Sequence, residues 1–138
     1  MIKRKIMGLF DKMFSSEKKQ EKEEKSVTPW IDLNSMAQLD QLEERSKERT
    51  VAILKHSTTC GISRMVLKMF ESDYNLDENE PIDLYFLDLR AHRDISNAIA
   101  ERLRVKHESP QLIVLKNGEV VHHSSHQAIS ADKLKELI

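Results

Sequence analysis

The spacing of apolar residues divides most of the chain into helical and extended segments. Met36, Leu39 and Leu42 recur at three-residue intervals after Asn34-Ser35. That predicts a helix capped by Asn34 or Ser35 and running to near Glu48. Val51-Ala52-Ile53-Leu54 is an unbroken apolar run, so Thr50–His56 reads as a strand buried on both faces. Met65, Val66, Met69 and Phe70 form one face of a second helix, from about Ile62 to Glu71. Asp73–Pro81 is polar and acidic, a loop, and Ile82–Asp88 is a second apolar strand. Ile95, Ile99 and Leu103 mark a third helix, opened by His92 or Asp94. Ser109-Pro110 separates it from a third strand, Gln111–Leu115. Asn117-Gly118 is a strong hairpin signal and leads into a fourth strand, Glu119–Ser124. Ser130 or Asp132 caps a last helix through Leu134 and Leu137.

A helix separates the first two strands, so they should lie parallel with a right-handed crossover. The last two form an antiparallel hairpin. Helices should then cover both faces of a four-stranded mixed sheet. This α/β order resembles the thioredoxin-like fold. Cys60 falls between the first strand and its following helix. Ser109-Pro110 falls just before the hairpin, where that fold uses a cis-proline, and cis bonds are nearly confined to X–Pro.

Composition narrows the function. The chain has 138 residues, enough for one domain. It has no apolar run long enough to span a bilayer and no secretory-type apolar core near its start, so a cytoplasmic protein is expected. The net charge of −1 gives no bulk attraction to nucleic acid. That charge is unevenly spread. Residues 1–26 carry eight basic and five acidic groups, or +3, and the rest carries fourteen and eighteen, or −4. Ser15–Ser26 is almost wholly Ser, Glu, Lys and Gln, a solvated tether. We therefore divide the chain into an arm, 1–28, and a folded domain, 29–138. Within the arm, Ile6, Met7, Leu9, Phe10, Met13 and Phe14 recur at roughly helical spacing. They read either as a frayed terminus or as a short amphipathic helix touching a membrane surface or a partner.

The chain has one cysteine, Cys60, so neither an internal disulfide nor a four-cysteine metal site can form within it. A thiol attacks only as thiolate, and a helix N-terminus favours that form. The neighbours Thr58, Thr59 and Gly61 are not core-like, Gly61 lets the backbone turn closely beside the sulfur, and Ser63 can donate its hydroxyl to a thiolate. Lys55, His56 and Arg64 are positive groups nearby in sequence. Ser63 occupies the place of the second cysteine of a Cys-x-x-Cys pair, so any mixed disulfide on Cys60 must be released by another molecule's thiol. His122, His123 and His126 cluster near the hairpin end. Strand alternation sends the first two to opposite faces, so they read as solvated or hydrogen-bonded rather than as metal ligands. Asp88 and His92 read as helix-capping groups, with lining of the thiol site as the alternative.

From about Trp30 to Ile138 the chain resembles the monothiol bacilliredoxins, thioredoxin-like proteins of the bacillithiol system of Firmicutes. The matching segments are His56–Ser63, reading His-Ser-Thr-Thr-Cys-Gly-Ile-Ser, then Leu87-Asp88-Leu89, Ala91-His92-Arg93, Ile95-Ser96, His107–Gln111, Lys116-Asn117-Gly118 and His123–His126. The resemblance implies that Cys60 attacks the bacillithiol sulfur of an S-bacillithiolated protein, supported by Thr59, Gly61, Ile62 and Ser63. Free bacillithiol, a co-substrate rather than a bound cofactor, then recycles the enzyme, and a pyridine-nucleotide-dependent bacillithiol disulfide reductase restores the pool. Ser109 and Pro110 carry over as the turn that pairs with substrate backbone. Family members often have Pro where this chain has Gly61, which should loosen the helix entry. Cys60-Gly61-Ile62-Ser63 is also one residue from the Cys-Gly-Phe-Ser motif of monothiol glutaredoxins, which makes an iron–sulfur cluster carrier the alternative. The glycine pair those proteins use after the hairpin is missing here, where the chain reads Ser124-Ser125-His126. A redox-sensing adaptor, modified once at Cys60 without turnover, is the third reading.

Overall fold

The computed structural model describes residues 28–138. Residues 1–27 of the arm lie outside them. In chain order the elements are β1 (Trp30–Asp32), α1 (Met36–Arg45), β2 (Thr50–His56), α2 (Gly61–Asp73), β3 (Ile82–Asp88), α3 (Arg93–Leu103), β4 (Gln111–Lys116), β5 (Glu119–Ser125), a 3-10 turn (His126–Ala128) and α4 (Ala131–Leu137).

The sheet has five strands in the order β1-β3-β2-β4-β5, not the four expected. β2 pairs parallel with β3 and antiparallel with β4, and β4 pairs antiparallel with β5. The additional strand, β1, pairs parallel with β3 through Trp30↔Leu84, Ile31↔Tyr85 and Asp32↔Phe86. Three residues are too few to show a period, and Ile31 remains exposed at this edge. What holds β1 is tertiary. The Trp30 indole donates to Glu71 Oε2 at 2.7 Å and packs 5.5 Å from Phe70 and 5.6 Å from Phe86.

Alternation along the central strands builds two cores. Val51 and Ile53 join Leu39, Leu42, Ile95 and Ile99 on the face covered by α1 and α3. Ala52 and Leu54 join Phe70, Val114, Ala131 and Leu134 beneath α2 and α4. All seven residues of β2 are buried, as its unbroken apolar run requires.

The helix ends follow local chemistry. Ser35 caps α1 by accepting the Gln38 N–H at 3.2 Å, and Ser130 caps α4 by accepting the Asp132 N–H at 3.2 Å. α1 stops at Arg45, short of the expected Glu48. There the Ser46 hydroxyl donates to Glu43 O and accepts the Gly118 N–H, while the Ser46 carbonyl accepts the Asn117 N–H. The hairpin turn thus docks on the end of the helix. That turn is Asn117-Gly118, with φ of 55° and 78°, the doubly positive geometry a two-residue hairpin of this type requires. Neither Asp88 nor His92 caps α3 with its side chain, contrary to the capping expectation. His92 is the N-cap residue, but only its carbonyl serves, accepting from Ile95 and Ser96. The Asp88 carboxylate instead accepts the Arg90 N–H at 3.3 Å, tightening the turn after β3.

Candidate functional site

β2 and β3 run in parallel at the centre of the sheet, so their C-terminal ends open on the same side. Crevices at such ends are the usual binding places in open α/β sheets. A loop, 57–60, leaves β2 there. Cys60 N–H donates to Ser57 O at 3.2 Å, and Cys60 O accepts the Arg64 N–H at 3.1 Å. Cys60 is therefore the N-cap residue of α2, with extended backbone (φ −101°, ψ 125°), and its thiol is half-exposed.

The sulfur closes no cap hydrogen bond of its own, yet its surroundings favour negative charge. The Ser63 N–H has the largest effect, followed by the Ser63 hydroxyl and the Ile62 N–H. Partial desolvation opposes them, and Arg64 adds a smaller favourable field. Together they hold the thiol below its ordinary pKa. Ser63 is fully buried, and its oxygen accepts the Ser57 N–H at 3.4 Å. One lone pair is thereby occupied and the hydroxyl hydrogen is left free to turn to the sulfur.

The other expected site residues divide by role. Thr59 is exposed, and its hydroxyl accepts from Arg90 Nη1 at 2.8 Å. Ile62 acts through its main chain, while its side chain is 42% exposed. Gly61 is the first residue of α2, and a Cβ there would meet nothing within 4 Å. Space does not demand glycine at that position. Ser109-Pro110 is a cis peptide, and Pro110 O accepts the His126 N–H at 3.0 Å. The pairing of Lys55 with Gln111 sets this turn at the same end of the sheet as the thiol loop. The Ser109 hydroxyl is buried with no partner among the described residues.

Of the positive neighbours expected from sequence, Arg64 is the one that lowers the thiol's pKa appreciably. Lys55 is fully buried. His56 is buried against Phe86 at 5.1 Å, and burial lowers its pKa, so it brings no charge at neutral pH. His122 and His123 fall opposite Val114 and Ile113 in the β4–β5 register. Among the described residues no group of three or more His, Cys, Asp or Glu is placed to hold a metal ion. Sequence reading missed Arg90, which lies 31 residues from its partner Thr59 and carries no local signal. Beside the thiol, α2 exposes an apolar stripe, Ile62, Met65 and Met69. Met65 and Met69 also line a groove of about 290 Å³ that α2 forms with Gln127, Ile129 and Ser130.

Solved proteins share this fold. One, described as a candidate oxidoreductase with a thioredoxin fold, is 38% identical, with a TM-score of 0.66 over 78% of this chain and 92% of its own. Thioredoxin from Schistosoma mansoni is 22% identical, with a TM-score of 0.59 over 83% of this chain and 94% of its own. A variant thioredoxin from Halobacterium salinarum NRC-1 is 18% identical, with a TM-score of 0.57 over 81% and 91%. The last two speak to the fold alone. Fold and site together place the chain among thioredoxin-fold oxidoreductases, in the class that works with one thiol. Residues 31–134 match the family described as Monothiol bacilliredoxin BrxC, and the chain belongs to that family.

Proposed function

We propose that this chain is a monothiol thiol–disulfide oxidoreductase that removes bacillithiol from S-bacillithiolated proteins. The observation that carries the reading is the setting of Cys60. It is an acidified, half-exposed thiol at a helix N-terminus, Ser63 occupies the resolving position, and the chain contains no second cysteine.

In the first step the Cys60 thiolate attacks the bacillithiol sulfur of the mixed disulfide. The bond to the target protein breaks, the target leaves as a thiolate that takes a proton from solvent, and a Cys60–bacillithiol disulfide forms. In the second, the thiolate of free bacillithiol attacks the bacillithiol sulfur of that adduct. Cys60 is restored and bacillithiol disulfide leaves, to be reduced by a separate pyridine-nucleotide-dependent reductase. The Ser63 and Ile62 N–H groups and the Ser63 hydroxyl stabilise Cys60 as attacking and as leaving thiolate. The main chain at Ser109-Pro110 pairs with the target's backbone, and the exposed Ile62–Met65–Met69 stripe receives its apolar surface. Among the described residues no helix is long and apolar enough to cross a membrane, and the cytoplasm is the compartment where such a free thiol works.

The test is release of bacillithiol from a purified S-bacillithiolated protein, followed by mass spectrometry with free bacillithiol present. Wild-type protein should turn over. Cys60→Ser should lose all release while retaining its far-UV circular dichroism. Undiminished release by Cys60→Ser would refute the reading.

A further inference from the structure

Three arginines among the described residues have carboxylate partners. Arg45 and Arg49 bind Asp83, and Arg102 binds Asp40 and Glu43. The two that bond to the loop before the thiol do not. Arg90 Nη1 donates to the Thr59 hydroxyl at 2.8 Å, and Arg64 Nη1 donates to Thr58 O at 3.4 Å. Both side chains are exposed, and neither forms an ion pair among the described residues. The carboxylate nearest in sequence to Arg90, Asp88, is engaged with the Arg90 main-chain N–H. Arg93 and Arg104 also lack carboxylate partners, but neither bonds to the thiol loop. A guanidinium has five donors in a planar fork suited to a carboxylate. Each of these two uses one donor on a neutral oxygen of the residues just before Cys60, and the remaining donors are left for a ligand.

We propose that Arg90 and Arg64 form a carboxylate clamp that selects an acidic low-molecular-weight thiol for exchange at Cys60. The proposal rests on the exchange reading above and adds the substrate's charge to it. Anchoring the small thiol's carboxylate holds its sulfur, rather than the target cysteine's, in line with the Cys60 thiolate. The clamp thus fixes both which thiol is taken and which sulfur of the mixed disulfide is attacked. Arg90 is the cleaner reporter, because Arg64 is among the groups that lower the thiol's pKa.

The experiment uses the full chain and two matched probes, dithiodipropionate and its uncharged diamide. Each reacts with Cys60 in a single turnover at fixed pH and low ionic strength, and the thiol pKa is measured in parallel. The ratio of the acid's rate constant to the amide's should fall roughly tenfold in Arg90→Gln, the size of one partly exposed charge-assisted hydrogen bond. Arg90→Lys should restore part of the ratio, and Arg64→Gln should also lower it. An unchanged ratio, or an equal loss with both probes, would overturn the clamp. The probes need only a nucleophilic Cys60. If wild-type protein failed to release bacillithiol, the function above would fall while this ratio still decided the clamp.

Discussion

Ser63 shows how one buried hydroxyl can serve a thiol and a loop together. Its oxygen holds the Ser57 N–H at the exit of β2, and its hydrogen and its N–H favour the Cys60 thiolate. Ser63→Ala removes only the hydroxyl's share, since the Ser63 and Ile62 N–H groups remain. Alkylation of Cys60 followed against pH should give a midpoint above that of wild type but still below an ordinary thiol. The same change leaves the Ser57 N–H without its partner, which should lower stability by about 1 kcal/mol in denaturant unfolding. A midpoint identical to wild type would remove the hydroxyl from the site. Much of this centre was legible in the sequence, because it is local. Cys60, Ile62 and Ser63 lie within one helical turn, and the spacing alone brings them to one sulfur. At Gly61 a Cβ would meet nothing within 4 Å beyond its chain neighbours, so packing from the rest of the fold does not select glycine there. Thr59 meets Arg90, and no local pattern encodes a contact across 31 residues.

Among the elements, those bounded by sharp changes of hydropathy match expectation best. β2 and β3 run over Thr50–His56 and Ile82–Asp88, as their apolar runs indicate. β1 was missed because its signal is a tertiary one, the Trp30 anchor on Glu71 and Phe70. The same holds for the joint between α1 and β3. Asp83 lies on β3 with a nearly buried carboxylate, which accepts from Arg45 Nε at 2.5 Å and Arg49 Nε at 2.9 Å. Arg49 also donates to the carbonyls of Glu80 and Ile82. Burial alone would raise the Asp83 pKa, but the bonds from the two arginines outweigh it and hold the carboxyl below its usual range. Its folded value is depressed, so the stabilisation is present above the ordinary aspartate pKa and is lost as pH falls through the folded value. Asp83→Asn should lower stability by about 2 kcal/mol at neutral pH. That is less than for a fully buried pair, because the Arg45 side chain is 48% exposed and screened by water. Its unfolding free energy should also decline less steeply than that of wild type on acidification. Parallel acid titrations of the two proteins would disprove the linkage.

For the molecule as a whole, Lys55 sets the opposite limb of the pH profile. It sits on the central strand in step with Val51 and Ile53, so its side chain enters the core under α1 and α3. It is 0% exposed, and its Nζ has no hydrogen-bond partner among the described residues. Desolvation therefore lowers its pKa from 10.5 to about 8. Below the folded value both native and unfolded chains carry the charge, and the native state bears the full penalty of burying it. Between about 8 and 10.5 the native state sheds the proton while the unfolded chain keeps it. The unfolded chain then binds more protons, so stability rises with pH across that window. Above the unfolded value neither state is charged and the penalty is gone. Lys55→Met retains most of the side-chain volume and removes the amine. It should stabilise the fold by about 3 kcal/mol at pH 7, on the conversion of a pKa shift to free energy. The gain should shrink across the alkaline window toward the small difference that packing alone makes. Denaturant unfolding of both proteins at a series of pH values gives the difference directly, since every other titrating group is common to the two. A gain that stayed constant from pH 7 into the alkaline range would show that Lys55 is not a buried charge in the native state.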